Sequence, residues 1–280
     1  MIQKSYDNQA ALYLIPTPIG NLDDITVRSL NTLKFVDVIF CEDTRDTGLL
    51  LKQYDIQKKL ISCHEYNENN VVDKAISLLQ EGKNIGLVTD QGTPIISDPG
   101  FIVSRGVLQR GFPVIGLPGP TAFVPALIMS GIEPSPFLFY GFLNAKKSRQ
   151  IEELKSLKNL RYTIIFYESV HRIQSTLKNM LEVFGNRNIA VCREISKIHE
   201  EICRDTIENI LSYVDSMKGE FVLIVEGNKE VIDFSNLDIV DHVKMYVEDG
   251  LTEMDSIKKV AKERGVAKSI IYNEYHNRRK

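Results

Sequence analysis

The chain has 280 residues, 43% of them hydrophobic and 25% charged, with a formal net charge of −3. That length suits two ordinary domains or one large one, and the composition is that of a globular protein with a sizeable core. No stretch approaches the roughly 20 apolar residues needed to span a bilayer, Met1 to Ala10 lacks the pattern of a secretory signal, and the charge gives no global sign of nucleic-acid binding. A cytoplasmic protein with no membrane partner is therefore expected. Cys41, Cys63, Cys192 and Cys203 form no CxxC pair and have irregular spacings. They read as buried free thiols rather than as a zinc site or disulfides.

Ala11 to Ile15 is an apolar run that ends in Pro16-Thr17-Pro18-Ile19-Gly20-Asn21. Asp23 or Asp24 can then cap a helix through Phe35. Phe35 to Cys41 reads as a second strand, delivering Glu42-Asp43-Thr44-Arg45, and a helix follows to about Tyr54. Leu60 to Cys63 is a short third strand, ending at His64, Glu65 and Glu68. Val71 to Gln80 is an amphipathic helix.

Ile85 to Thr89 is a buried strand that runs into Asp90, Gly92, Pro94, Asp98, Pro99 and Gly100. An apolar strand ending in a rigid Gly/Pro loop is what an open α/β sheet puts at its ligand crevice. The glycines let backbone approach a ligand, and Asp90 and Asp98 sit where a strand end would aim them at it. A turn that merely links strand to helix is the alternative. Gly100 to Arg110 reads as a helix and Pro113 to Leu117 as a strand, ending at Pro118-Gly119-Pro120-Thr121. A helix follows over Ala122 to Ser130. The alternation predicts a largely parallel sheet, on whose edge the loops at 16–21, 90–100 and 118–121 can converge.

A second unit follows, with strands at Tyr162 to Tyr167, Asn188 to Cys192 and Phe221 to Val225. Its expected helices reach about Leu157 and span Ile173 to Phe184 and Ile207 to Val214. Lys146, Lys147 and Arg149 form a basic loop. The expected organisation is 1–119, an N-terminal α/β domain; 120–236, a C-terminal α/β domain; and 237–280, a helical extension. In that extension Asp255 to Arg264 and Val266 to Asn277 read as two helices joined at Gly265, resembling a helix-turn-helix. From 256 to 280 there are eight Lys/Arg against two Glu, a net +6. That piece is either a solvated packing tail or a nucleic-acid grip. If about six phosphates are neutralised, affinity should fall on the order of 10³-fold between about 50 and 200 mM salt.

No GxGxxG follows a strand and no GxxxxGK[ST] is present, so backbone cradles for phosphate are not signalled. His64, His171, His199, His242 and His276 are scattered, and no metal site is expected. There is no GxSxG elbow. The polar groups at strand ends are Glu42, Asp43, Arg45, His64, Glu65, Glu68, Glu168, His171, Arg193, Glu194, Lys197 and Glu200. Each alone suits a surface or ion-pair role; clustering at strand ends makes the set a candidate site.

Seven motifs occur in order: Pro16 to Leu22, Glu42 to Arg45, Asp90 to Pro94, Asp98 to Gly100, Pro118 to Pro120, Phe166 to Ser169 with His171-Arg172, and Arg193-Glu194. The set resembles the ribosomal RNA small subunit methyltransferase I family within the tetrapyrrole methylase superfamily. The resemblance implies an α/β fold: two α/β domains with the cofactor cleft between them, plus the helix-turn-helix-like extension. It implies S-adenosyl-L-methionine as cofactor and 2′-O-methylation of a cytidine in the decoding region of 16S rRNA. It also implies a homodimer whose partner is 16S rRNA in the small ribosomal subunit. Thr89 and Gln91 depart from the family's Ser-Asp-Ala-Gly-Thr-Pro loop, and Phe221 stands where Met is common.

The residues fit such a ligand, which has no phosphate. Ile95, Ile96, Phe166, Tyr167 and Phe221 can supply apolar walls, and Gly92, Gly119 and Thr121 can bring backbone close. Asp90 can accept from a ribose hydroxyl or the amino group; Pro16 and Thr93 complete the expected cofactor contacts. A 2′-hydroxyl is a weak nucleophile, so a base or stabilising cation is expected, with Asp43, Arg45, His64 and Glu168 as the candidates. Two rivals remain open here: a methyltransferase acting on a tetrapyrrole, and a non-catalytic RNA-binding assembly factor.

Overall fold

The computed structural model describes residues 3–5, 9–64, 67–214, 217–229 and 237–277. Contacts group the chain into two compact units, Met1–Asn228 and Lys229–Lys280.

The first unit opens with a sheet of β1 (Leu12–Leu14), β2 (Val38–Cys41), β3 (Lys59–Ser62), β4 (Ile85–Leu87) and β5 (Val114–Gly116), in the order β3-β2-β4-β1-β5. Every pairing is parallel, as predicted from the alternation. The crossovers are α1 (Val27–Phe35), α2 (Thr44–Gln53), α3 (Glu68–Gln80) and α4 (Phe101–Gln109). Parallel strands need such crossovers, and the helices cover both faces of the sheet. On one face Leu12, Phe40 and Leu87 pack with Val71, Ala75 and Leu79 of α3 and with Val103 and Val107 of α4. On the other, Ile15, Ile39 and Ile115 pack with Leu33 of α1 and Leu51 of α2.

α1 begins later than expected. Leu22–Asp24 forms a separate 3-10 turn, and the cap is Thr26, whose hydroxyl accepts from the Ser29 N–H at 2.9 Å. Asp24 is engaged elsewhere, by the Ser196 hydroxyl. α3 starts three residues before the expected Val71, because Glu68 packs inward.

α5 (Phe123–Met129) leads into a second sheet of β6 (Phe137–Phe142), β7 (Thr163–Ser169), β8 (Asn188–Arg193), β9 (Glu201–Thr206) and β10 (Glu220–Val225). Its order is β6-β7-β10-β8-β9, with β6 parallel to β7 and the other pairs antiparallel. α6 (Lys147–Leu157), α7 (Ile173–Phe184) and α8 (Ile207–Leu211) pack on one face through Leu154, Leu177, Met180 and Ile210. α5 packs on the other through Ala126 and Leu127. Neither β6 nor β9 was expected. β6 lies between a Pro-rich turn and a basic loop and contains Gly141 at φ +83°; β9 is a mostly polar edge strand. β9 is held by pairing with β8 rather than by an apolar run of its own, whereas β6, Phe-Leu-Phe-Tyr-Gly-Phe, is an apolar run that the reading of the sequence passed over.

The second unit contains α9 (Ile239–Glu248), α10 (Glu253–Glu263) and α11 (Lys268–Asn277) around Val243, Ile257, Val260, Ile271 and Tyr275. α10 begins two residues before the expected Asp255, capped by Thr252, and Gly265 at φ +64° ends it, as the sequence suggested. Several of its cations are engaged internally. Lys258 pairs with Asp255 at 2.8 Å, Lys259 sits 3.8 Å over the Tyr246 ring, and Arg264 donates to His242 and to the Leu237 carbonyl. Among the described residues Lys262 makes no such contact, whereas the charge of Lys268 acts on Asp255. Arg278, Arg279 and Lys280 lie outside the described residues.

Candidate active site

The strand ends of both sheets in the first unit enclose a cavity of about 470 Å³. In the parallel sheet β4, β1 and β5 are adjacent, so the loops at their carboxyl ends meet, as predicted. Thr17 and Gly92 exchange backbone hydrogen bonds at 2.9 and 3.1 Å, and the Thr17 hydroxyl donates to the Thr89 carbonyl at 3.1 Å. The Thr93 hydroxyl donates to the Pro120 carbonyl at 2.9 Å and lies against the Thr121 hydroxyl. Pro16 and Gly119 touch one another instead of the cavity. A Cβ on Gly119 would lie 2.5 Å from Pro16 Cβ, so only glycine lets the two loops close.

The loop after β4 is bent sharply. Gly92 and Gly100 have φ of +85° and +119°, and Ile95 and Ser97 have φ of +76° and +66°. A β-branched residue rarely adopts that conformation, and such strain persists only where the surroundings hold it. The bend turns Ile96, Ser97 and Asp98 to the cavity and leaves Ile95 off its lining.

The second sheet supplies the other wall. β6, β7 and β8 end, and β10 begins, at one edge, placing Phe142, Tyr167, Glu168, Ile195, Phe221 and Val222 on the cavity. Two contacts lock the walls together: Ser196 with Asp24, and Lys197 against Gly20, where any Cβ would strike the lysine side chain. Lys197 is itself held by Glu194 at 3.2 Å and Glu220 at 2.7 Å.

Of the residues expected to contact a cofactor, Asp90, Gly92, Thr93, Ile96, Thr121, Tyr167 and Phe221 line the cavity. Phe166 does not. Side chains alternate along a strand, so Phe166 points to the opposite face from Tyr167 and is fully buried against the α6 and α7 side of the core.

Of the four candidates for proton handling, only Glu168 reaches the cavity, and its oxygens are engaged. They accept from the Thr176 hydroxyl at 2.6 Å and the Ser169 N–H at 2.8 Å, with the Arg172 guanidinium at 3.4 Å. Asp43 caps α2 and pairs with Arg45 at 2.6 Å; that hydrogen bonding holds its carboxyl down at about 2. Its backbone N–H donates to Asp90 Oδ1 at 3.1 Å, which positions Asp90. Neither Arg45 nor His64 lines the cavity. Glu68, another strand-end acid, caps α4 through the N–H groups of Gly100 and Ile102. Glu65 lies outside the described residues.

The charged groups the cavity does contain are Glu42, Asp90 and Asp98, with Glu168 and Glu220 at its wall. Burial raises the first three. Asp98 is pushed up to about 7 by burial, then by the charges of Glu42 and Asp90. Glu42 is raised by burial and by Asp90, with His64 opposing; Asp90 is raised by burial, with the Asp43 N–H opposing. Carboxylates crowded at such a cost suit a cationic ligand and repel a phosphate. The sequence places Asp98 in the loop after β4 but does not mark it as a cofactor contact. Nothing in the sequence signals the left-handed Ile95 and Ser97 that deliver it.

The sequence profile described as Tetrapyrrole (Corrin/Porphyrin) Methylases matches residues 11–211. The chain belongs to this family. Among curated relatives, ribosomal RNA small subunit methyltransferase I of Bacillus subtilis (strain 168) is 46% identical, covering 95% of this chain and 94% of that protein. The protein of the same name from Escherichia coli O157:H7 is 42% identical over 81% of each. Among solved structures, a cobalt precorrin-4 methyltransferase superposes with a TM-score of 0.59 at 18% identity, covering 81% of this chain and 98% of that one. Uroporphyrin-III-C-methyltransferase from Thermus thermophilus gives 0.56 at 17%, covering 78% and 94%. The methylase fold is thus common to all of them, with a helical extension following it in this chain.

Proposed function

We propose that this methylase uses S-adenosyl-L-methionine to methylate the 2′-oxygen of a cytidine in the decoding region of 16S rRNA, within the small ribosomal subunit. The observation that carries the cofactor assignment is the cavity with three carboxylates, Glu42, Asp90 and Asp98. S-Adenosylmethionine bears a sulfonium and an ammonium and no phosphate, and the cavity volume lies in the range of small-molecule sites. Ile96, Tyr167 and Phe221 supply apolar walls, and the three carboxylates would hold the cationic end. When bound, the group supplies an electrophilic methyl.

The chain's own contribution is orientation. The Thr17–Gly92 bridge, the Pro16–Gly119 contact and the Asp43 N–H on Asp90 fix four strand-end segments before any ligand arrives. Well-oriented reactions gain roughly 7–11 kcal/mol from positioning. Glu168 holds Ser169 and Arg172 in place at the wall. The RNA assignment is supported by the relatives' names, and with it go the cytoplasm as location and a homodimer as the working form. The domain limits 1–119, 120–236 and 237–280 remain our division: α5 packs on the second sheet, and the last limit borders residues outside the description.

The experiment is methyl transfer from tritiated S-adenosylmethionine to small subunits from a strain lacking the gene, followed by nucleoside analysis. Label on a 2′-O-methylated cytidine is expected. Cofactor binding with no transfer to subunits or naked RNA would overturn the RNA substrate and point to a tetrapyrrole. Absence of cofactor binding would overturn the enzyme reading.

A further inference from the structure

The mouth of the cavity carries groups that a small cofactor does not require. β6 ends at Phe142, in register with Tyr167 of β7. The Phe142 ring lines the cavity, 5.6 Å from the Tyr167 ring in an edge contact, yet the residue is 51% exposed. Several large apolar side chains are exposed, but among the described residues Phe142 is the one of them that also lines the cavity, so an incoming ligand meets it at the rim. The chain then turns into α6, bringing Lys146, Lys147 and Arg149 to the surface within seven residues of Phe142. None of these three cations has an ion-pair partner among the described residues.

The turn that presents them is anchored. The Arg172 guanidinium donates to the Leu143 carbonyl at 2.6 Å, the Asn144 N–H donates to Glu153 at 2.8 Å, and the Lys146 N–H donates to Asn144 Oδ1 at 3.0 Å. One oxygen of Glu153 is thereby held by backbone. Charge changes sign at this edge: carboxylates inside the cavity, uncommitted cations just beyond the exposed ring.

We infer that Phe142 with Lys146, Lys147 and Arg149 forms the seat of the RNA strand on either side of the reacting nucleotide. Phe142 stacks on a base, and the three cations pair with neighbouring phosphates. Sequence-tolerant binding of single-stranded RNA uses this combination of an aromatic platform and a basic track. The acidic cavity repels phosphate and so admits the ribose to the methyl while the backbone stays on the lip. The inference rests on the RNA-methylation reading and gives that site its substrate-binding surface.

The test compares F142L, F142W and the triple variant K146A/K147A/R149A with the wild-type protein. Affinity for S-adenosylhomocysteine is read by calorimetry, and KM and kcat are read for methyl transfer to small subunits over a salt series. F142L should raise KM about tenfold or more with cofactor affinity within about twofold, and F142W should restore it. The triple variant should flatten the salt slope by about 2 to 3, at roughly 0.7–0.9 per phosphate. Unchanged KM in both variants, with an active wild type, would overturn the inference alone. So would an F142L defect confined to cofactor affinity, or F142L dissociating an oligomer, which would make Phe142 a cofactor wall or a subunit contact. A wild-type protein that methylates no RNA would overturn the reading beneath it and this inference together.

Discussion

Asp98 and Glu42 line one cavity from different strand ends, and burial together with the charge of Glu42 pushes the Asp98 carboxyl up to about 7. Without a ligand, Asp98 therefore exchanges its proton near neutral pH. A cationic ligand favours the ionised form, so binding releases a proton. Affinity for S-adenosylmethionine should weaken on the order of tenfold from pH 8 to pH 6. Calorimetry in buffers of different ionisation enthalpy checks both the affinity and the released proton; an affinity flat across that range would refute the assignment.

The same group sets a trade between stability and binding. Its folded value lies above the ordinary 3.8. Its contribution is therefore fully present below about pH 4 and lost as pH rises through about 7, where a half-buried charge must be carried. Asp98→Asn removes that charge. The variant should melt at least about 2 °C higher than wild type at pH 8, with a smaller gain at pH 5, while cofactor affinity falls at least tenfold. Calorimetric scans at the two pH values separate these effects.

Gly119 and Gly92 should respond differently to alanine. At Gly92 the added Cβ meets Ile19 at an ordinary 3.4 Å, and the penalty is the left-handed backbone at φ +85°, about 1 kcal/mol. At Gly119 the Cβ would overlap Pro16 at 2.5 Å, and both atoms belong to stiff loops. Gly119→Ala should lower cofactor affinity at least tenfold more than Gly92→Ala. Equal affinities in the two variants would show that the 16–21 and 118–121 loops need not touch.

Glu168 should behave as a structural carboxylate. It is 2% exposed and joined to Thr176, Ser169 and Arg172. Glu168→Ala leaves those partners unsatisfied and should destabilise the fold by about 2–4 kcal/mol in urea unfolding. Glu168→Gln keeps the shape and should retain most of kcat at saturating substrate. A Glu168→Gln variant of normal stability with kcat down 10³-fold would instead make Glu168 the proton acceptor.

Much of the site was legible in the chain because it is built from local signals. Pro16 to Asn21, Asp90 to Gly100 and Pro118 to Thr121 follow short apolar runs, and a parallel sheet brings such loops to one edge. β6 was missed, and with it Phe142, although Phe137 to Tyr140 is an apolar run that follows a Pro-rich turn, the same signal that marks the other strands. Phe166 was misplaced because a strand in a buried sheet is apolar on both faces, and its neighbour Tyr167 is the one that turns to the cavity. Asp43 and Glu168 look like free strand-end acids in sequence; the structure gives them the partners Arg45 and Thr176, which no local pattern announces.

By itself the sequence determined the alternation of strands and helices, the parallel order it enforces, the Gly and Pro loops at the strand ends, and the family. Those are properties of neighbours along the chain. Only the tertiary structure decided which strand-end carboxylates crowd into one cavity and which are engaged by a hydrogen-bond or ion-pair partner. That choice depends on groups far apart in sequence: Glu42 beside Asp98, Asp24 on Ser196, Gly119 on Pro16. A carboxylate acquires its character from the dielectric and the charges around it, and these exist only once the two sheets have closed on each other.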